Sequence, residues 1–315
     1  MVADIHGSET IMNKLLNSPK FYRVKHVVVA GDLTGKVLTP IVEAPNGRYR
    51  VELFGERKEV DSSKLEQIKK ELRSAGYYYK VVSQNEFEEM RAQPSKIKQS
   101  FIEAMQESLD QFFAKAETRL RAEGAKAYLI PGNDDYDEVA EYVRRNAPSS
   151  LVPFDRDAVE LGNLHLAGYG YSNITPWRSP REKSEPEIQS DLNQLSKRVE
   201  PSSTILVSHV PPHGTKIDKA PKLTPDYRQV TEGGEPVQVS VGSTSVRNAL
   251  EEHGYALGIH GHIHESAGTD FVLTRSEGRK ITVLNPGSEY GSGVLRGVVV
   301  EMKNFELKSH LFTRG

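Results

Sequence analysis

The feature that most constrains this chain is a recurring pair: a short β-branched run with a polar or glycine-bearing turn directly behind it. Val27 to Ala30 runs into Gly31, Tyr128 to Ile130 into Pro131-Gly132, Ile205 to Val207 into Ser208, and Leu257 to Ile259 into His260-Gly261. Each is expected to be a buried strand that ends in a functional loop. Helical patterns lie between them. Ile97, Phe101, Met105, Leu109, Phe112 and Ala116 recur at near-helical spacing and predict a helix over about 95–123, stopped by Gly124. Shorter helices are predicted at about 135–145, 186–199 and 243–253. Strand, loop, helix and strand in alternation specify an α/β fold with helices on the sheet faces, where functional groups collect at strand ends.

Two stretches depart from this rhythm. Between about 38 and 92, the segments 41–44 and 48–54 flank Pro45-Asn46-Gly47, a hairpin signal, and a helix over 62–75 and a strand over 77–82 follow. This predicts a small ββαβ insertion, serving as a cap, a dimer contact or simply a solvated face. The stretch 211–242 is rich in Pro, Gly and Lys, and its length predicts a functional loop. The segments 280–284, 294–302 and 305–312 are expected to complete a second β layer. Only three residues precede Asp4, so the first strand is short and a start upstream of Met1 is a candidate explanation.

The 315 residues suffice for one large α/β domain or two modest ones. A net charge of −2 and a pI near 6.6 give no global attraction to nucleic acid or to anionic membrane, so recognition of phosphate has to be local. No run approaches the roughly 20 apolar residues of a membrane span. The first residues also lack the basic-then-apolar pattern of a signal region. A cytoplasmic location without membrane partners is therefore expected, with the oligomeric state open. The absence of cysteine removes disulfides, thiolate metal sites and a cysteine nucleophile, leaving nitrogen and oxygen as the only metal ligands.

Those ligand types fall into five short blocks: Asp4-x-His6, Gly31-Asp32, Gly132-Asn133-Asp134-Asp135, Ser208-His209 and Gly261-His262-Ile263-His264. Hard divalent ions want carboxylate and imidazole, and a bridged pair needs one carboxylate shared between centres about 3.5–4 Å apart. Asp-x-His and Gly-His-x-His each put two side chains on one side of an extended segment.

In this order, each behind a predicted strand, the blocks resemble those of the calcineurin-like metallophosphoesterase superfamily. Gly170-Tyr171 through Pro176-Trp177, Val210-Pro211-Pro212-His213-Gly214-Thr215, Gly242-Ser243, the extension to Glu265-Ser266, and Asn285-Pro286-Gly287-Ser288 resemble the branch of predicted phosphoesterases related to the cyclic-nucleotide phosphodiesterases. The resemblance implies a four-layer αββα sandwich over residues 1–315, with the insertion at about 38–92 as a cap-like subdomain. It also implies that Asp4, His6, Asp32 and His264 hold one metal, while Asp32, Asn133, His209 and His262 hold the second. Manganese is the expected ion, with iron, zinc, nickel or magnesium as alternatives. The implied reaction is hydrolysis of a small-molecule phosphoester, a diester in preference to a monoester, by in-line attack of a metal-bridging hydroxide. A nuclease and a metal-binding interaction module without catalysis are the alternatives, the first disfavoured by the charge balance.

One position departs from the family pattern. Where the family has Gly-Asn-His, this chain has Asp134 in place of the histidine that commonly protonates the leaving oxygen. Three readings stand at this stage. Asp134 is uninvolved and the acid is His213 or water; it ligates a metal or binds a metal-bound water; or it shares a proton with Asp135. With an ionised carboxylate standing where a proton donor belongs, an activated diester, which needs little protonation of its leaving group, is favoured over a monoester. Outside the blocks, His26, His165, His253 and His310 are expected to be structural or exposed, with His260 orienting a neighbouring ligand or packing. Lys216, Lys219 and Lys222 attract phosphate or are merely solvated, and Trp177, Arg178 and Arg181 roof the cleft or pack.

Overall fold

Alternation along the predicted strands sends their side chains to opposite faces. In the strand His26–Ala30, Val27 and Val29 join a buried cluster with Met105, Leu109 and Phe112, whereas Val28 and Ala30 join another with Ile130, Ile205 and Val207. The same split occurs in Lys126–Ile130, where Ala127 and Leu129 face one way and Tyr128 and Ile130 the other. Strands buried on both faces are sandwiched between layers, and that is the architecture of the computed structural model, which describes all 315 residues.

The first sheet has a parallel core of His26–Ala30, Lys126–Ile130 and Leu151–Pro153. Residues 1–4 add to its edge: Val2 donates to Val28 O and Ala30 donates to Val2 O, both at 2.9 Å. Val298 donates to Met1 O at 2.9 Å, which docks the hairpin of Arg296–Lys303 and Glu306–Arg314 on the far side. The short first strand is thus clamped between two neighbours. The second sheet has six strands, in the order 268–273, 280–285, 257–259, 204–208, 164–169 and 158–161, parallel at its centre and antiparallel at both edges.

Ala30, Ile130, Leu166, Ile205, Leu257 and Leu284 fill the space between the sheets. Helices Glu9–Tyr22, Pro94–Ala122 and Asp137–Asn146 cover the outer face of the first sheet, and Glu185–Ser196 and Thr244–His253 that of the second. The fold is the four-layer αββα sandwich expected. The helix predicted at 186–199 stops early, at Ser196. The helix Glu9–Tyr22 is an addition to those predicted: Pro19 interrupts its periodicity, while Ser8 caps its start and Ile11, Met12, Leu15 and Leu16 are buried.

The insertion has one strand and one helix more than the ββαβ pattern. Val37–Glu43, Tyr49–Leu53, Glu56–Val60, Ser62–Ser74, Tyr77–Ser83 and Gln84–Ala92 follow one another, with sheet order 56–60, 49–53, 37–43, 77–83. The extra strand, Glu-Arg-Lys-Glu-Val, carries no apolar alternation because it is a charged, exposed edge, a common guard against edge-to-edge pairing. Ile41, Val51, Leu53, Ile68 and Leu72 form a small core of its own. The insertion abuts the start of the chain, since Ser8 Oγ donates to Ser74 O at 2.5 Å and Gly35 N donates to Tyr78 Oη at 3.1 Å. The 211–242 stretch is built of short strand pairs, 219–221 with 238–240 and 231–232 with 235–236. No helix is long and apolar enough to cross a membrane.

Candidate metal centre

The ends of the central strands of both sheets meet at one edge of the sandwich, and the five blocks arrive there together. Ligand atoms of Asp4, His6, Asp32 and His264 all lie within 4.8 Å of one another. The Nε2 atoms of His6 and His264 are 3.1 Å apart, His6 Nε2 is 3.4 Å from Asp32 Oδ2, and His264 Nε2 is 3.5 Å from Asp4 Oδ1. Asp32 faces the other way with its second oxygen, Oδ1, 3.4 Å from His209 Nε2. Asn133 Oδ1 approaches the same nitrogen at 2.9 Å, and the ring of His262 packs against that of His209 with centroids 5.1 Å apart. Asp32 therefore stands between two groups of potential ligands.

The backbone is bent to make this possible. Asp4, His6, Asp32 and His262 have φ of 54°, 42°, 51° and 68°, a left-handed conformation that costs a non-glycine residue about 1–3 kcal/mol. Close packing adds a second demand. A Cβ on Gly31 would lie 2.1 Å from His209 Nδ1, and one on Gly132 would lie 2.0 Å from Asp32 Oδ1. Only glycine lets the loops close this far.

Several groups outside the ligand set hold it in place. Asp135, buried, accepts from the backbone N–H of Gly132 at 2.7 Å, of Leu33 at 3.0 Å and of Thr34 at 2.9 Å, and from Thr34 Oγ1 at 2.6 Å. It ties the Asp32 loop to the Asn133 loop. The reading in which Asp135 shares a proton with Asp134 is thereby corrected, because both its oxygens are committed to donors on the neighbouring loop. Ser288 Oγ donates to Asp4 O at 2.7 Å, and Asn285 Nδ2 donates to Ile263 O at 2.9 Å, securing the Gly-His-Ile-His turn. His260 is buried with Nδ1 3.0 Å from Ser208 O and 3.2 Å from Val210 O, so Nδ1 carries the proton. Burial pushes that imidazole down to about 4, and it remains neutral as a brace between two ligand loops.

The electrostatics favour a cation. His209 Nδ1 lies 2.8 Å from Ala30 O, a pure acceptor, so that nitrogen is protonated and Nε2 is the one presented to Asp32 and Asn133. With Nε2 unprotonated, an imidazole lone pair would face two oxygens that also only accept. In the ion-free chain a second proton relieves this. Against the burial that disfavours its charge, the Asp32 carboxylate raises His209 to about 9. Burial in turn raises Asp32 to about 6. His264 is likewise raised despite burial, by Asp4, whereas burial holds His6 and His262 below the usual histidine range. Bonds of about 2.0–2.2 Å from nitrogen or oxygen to a divalent ion put neighbouring ligands about 3.0–3.5 Å apart. The spacings of 3.1, 3.4 and 3.5 Å around His6, Asp32, His264 and Asp4 fit such an ion.

Four further residues take the structural or loop roles among those weighed for them. His213 is not drawn into the ligand cluster: its Nδ1 is 3.7 Å from Asp218, and Arg247 donates to its carbonyl at 2.9 Å. Arg181 is buried, pairs with Asp155 at 2.6 Å and with Asp137, and lies 4.0 Å from the Tyr171 ring centroid, a structural clamp beneath the site. Trp177 is exposed and stacks on Tyr227 at 5.0 Å. Lys219 is tied within its own loop by Ser240 Oγ at 2.5 Å. Two participants escaped the sequence reading: Tyr290, whose ring lies 4.4 Å from that of His6, and Lys36, whose Nζ lies 2.5 Å from Asp134 Oδ2. Neither belongs to a motif of ligand type, and only the fold brings them near.

Comparison with known proteins agrees with the architecture. No family profile matches the chain. An uncharacterized protein of Methanocaldococcus jannaschii, MJ1162, is 32% identical over 145 residues, 45% of this chain and 58% of that protein, so the match spans less than two thirds of its length. A crystal structure superimposes over 94% of this chain and 91% of its own with a TM-score of 0.53 and 15% identity, a likeness of fold alone. Two Thermus thermophilus structures superimpose too loosely to bear on the argument. These are TT1561, at 0.48 with 11% identity over 94% of this chain and 90% of its own, and the sulfate thiohydrolase SoxB in complex with glycerol, at 0.30 with 14% identity over 65% and 35%. Fold and site together define a four-layer αββα sandwich that carries, at one edge, a cluster of carboxylates and imidazoles spaced to hold a divalent metal.

Proposed function

We propose that this protein is a metal-dependent hydrolase of phosphoester bonds, acting on a small phosphodiester in preference to a monoester. The observation that carries the proposal is the convergence of Asp4, His6, Asp32 and His264 on one point, with Asn133, His209 and His262 on the other side of the shared Asp32. Asp4, His6, Asp32 and His264 would hold one divalent ion and Asp32, Asn133, His209 and His262 a second, manganese being the best match to the ligand types and the family pattern. Such ions, when bound, supply Lewis acidity that activates water toward in-line attack at phosphorus and neutralises charge on the phosphoryl oxygens.

The chain's own residues orient this chemistry. Ala30 O fixes the His209 tautomer, His260 and Asn285 brace the His262–His264 turn, and Asp135 locks the two acidic loops together. The diester preference rests on Asp134. Against burial, the Lys36 ammonium and the Ser179 hydroxyl hold its carboxyl well below the usual carboxylate range, so it has no proton to give a leaving oxygen. A leaving group that departs without protonation suits such a site. The net charge of −2 favours a small substrate over a nucleic acid.

The test is turnover of bis(p-nitrophenyl) phosphate and of p-nitrophenyl phosphate, each with Mn²⁺, Mg²⁺ or EDTA. The diester is expected to be hydrolysed faster, with Mn²⁺, and EDTA to stop the reaction. Absence of turnover of both esters with every metal would sink the enzyme reading and leave a metal-binding module.

A further inference from the structure

Lys36 lies four residues beyond Asp32, and its Nζ is 2.5 Å from Asp134 Oδ2. Asp134 is itself anchored. Its Oδ1 accepts from Ser179 Oγ at 2.6 Å and from Asn133 Nδ2 at 3.3 Å, and its backbone N–H donates to Asp32 Oδ1 at 3.0 Å. A solvated lysine samples many rotamers, but this one is drawn to a carboxylate whose side chain is only 15% exposed and which adjoins two ligand residues. The lysine side chain keeps 41% of its exposure and has no other carboxylate within 4.0 Å. An ammonium has three donors, and Asp134 leaves some of them open to a ligand.

The sign of the charges makes the pairing meaningful. Asp134 alone would place a negative charge beside the position of an incoming phosphate and repel it. Paired with Lys36, that charge is cancelled, and a compact cation on a flexible stem stands at the rim, the type of group suited to a phosphate oxygen.

Building on the phosphoesterase reading, we propose that Lys36 is a phosphate-binding residue of this site, its ammonium donating to a phosphoryl oxygen, and that Asp134 and Ser179 are positioning residues that hold it there. The bland counterpart is a surface ion pair, which contributes little and leaves phosphate affinity untouched.

The deciding measurement is binding of inorganic phosphate to the Mn²⁺-loaded full chain by titration calorimetry, with bound metal counted by mass spectrometry and KM and kcat measured on the diester. Lys36→Gln is expected to weaken phosphate binding about tenfold and to raise KM at unchanged metal content, and Lys36→Arg to restore most of the affinity. Ser179→Ala is expected to weaken binding less than Lys36→Gln, because it loosens the anchor without removing the charge. Phosphate affinity within twofold of wild type for Lys36→Gln, with metals retained, would overturn the assignment while leaving the phosphoesterase reading intact. A metal-loaded wild type that neither binds phosphate nor hydrolyses either ester would overturn both.

Discussion

Asp134 and Asp32 are adjacent carboxylates with opposite electrostatic fates, and that difference sets what each does. Asp134 is held ionised against its burial by Lys36 and Ser179, whereas burial raises Asp32 to about 6. Asp134→His would place an imidazole where the superfamily that the motifs resemble has one, and is expected to raise monoester turnover relative to diester turnover by at least about tenfold, within the usual worth of a general acid. An unchanged ratio in the two p-nitrophenyl assays would remove this account of the position. Asp32→Asn removes the one carboxylate that faces both ligand groups, and loss of both ions by elemental analysis is expected together with loss of turnover. The titration of His209 adds a pH dependence. Its folded, ion-free pKa is raised to about 9, so below that pH it is protonated and must release a proton to coordinate. Metal affinity is therefore expected to rise with pH up to about 9, and to fall more steeply below about 6 as Asp32 protonates. Calorimetry in buffers of different ionisation enthalpy reads the proton release, and an affinity flat from pH 6 to 9 would contradict it.

The loops that carry these residues are held by few, buried contacts. Asp135 accepts from both the Leu33-Thr34 and the Gly132 segments. Asp135→Ala leaves those buried donors unpaired and is expected to cost about 3 kcal/mol of unfolding free energy in denaturant, along with metal affinity. Gly132→Ala brings a Cβ to 2.0 Å from Asp32 Oδ1 and is expected to abolish metal binding, even though alanine is otherwise a mild substitution. The strand ends were readable in advance because β-branched runs followed by Gly31, Gly132 and Gly261 announce a buried strand and a tight exit. The helix Glu9–Tyr22 and the strand Glu56–Val60 were not, the first because Pro19 masks its period and the second because an exposed edge strand needs no apolar pattern.

In the assembled sandwich, candidate ligands separated by up to 260 residues in sequence converge on one edge, from Asp4 at the first strand to His264 behind the strand Leu257–Ile259. Ions that bind only the folded arrangement stabilise it by mass action, about 2.7 kcal/mol for each ion at a hundredfold excess over its Kd. The melting temperature is expected to rise by several degrees with Mn²⁺ and to return to the ion-free value with EDTA, about 2–4 °C for each kcal/mol. A Tm indifferent to metal would show that the cluster does not hold ions in the folded chain.

The linear order of residues already specified the α/β class, the buried strands and the identities of the seven potential ligands, because hydrophobic period and ligand chemistry are local properties. The fates of Asp134, Asp135, Lys36 and His213 were decided only by folding. A carboxylate is a proton sharer, an ion-pair partner or a loop clamp according to which donors reach it, and here those donors come from Lys36, Ser179, Leu33 and Thr34, on other loops. Distance and burial set charge state, and neither is written in a single stretch of chain.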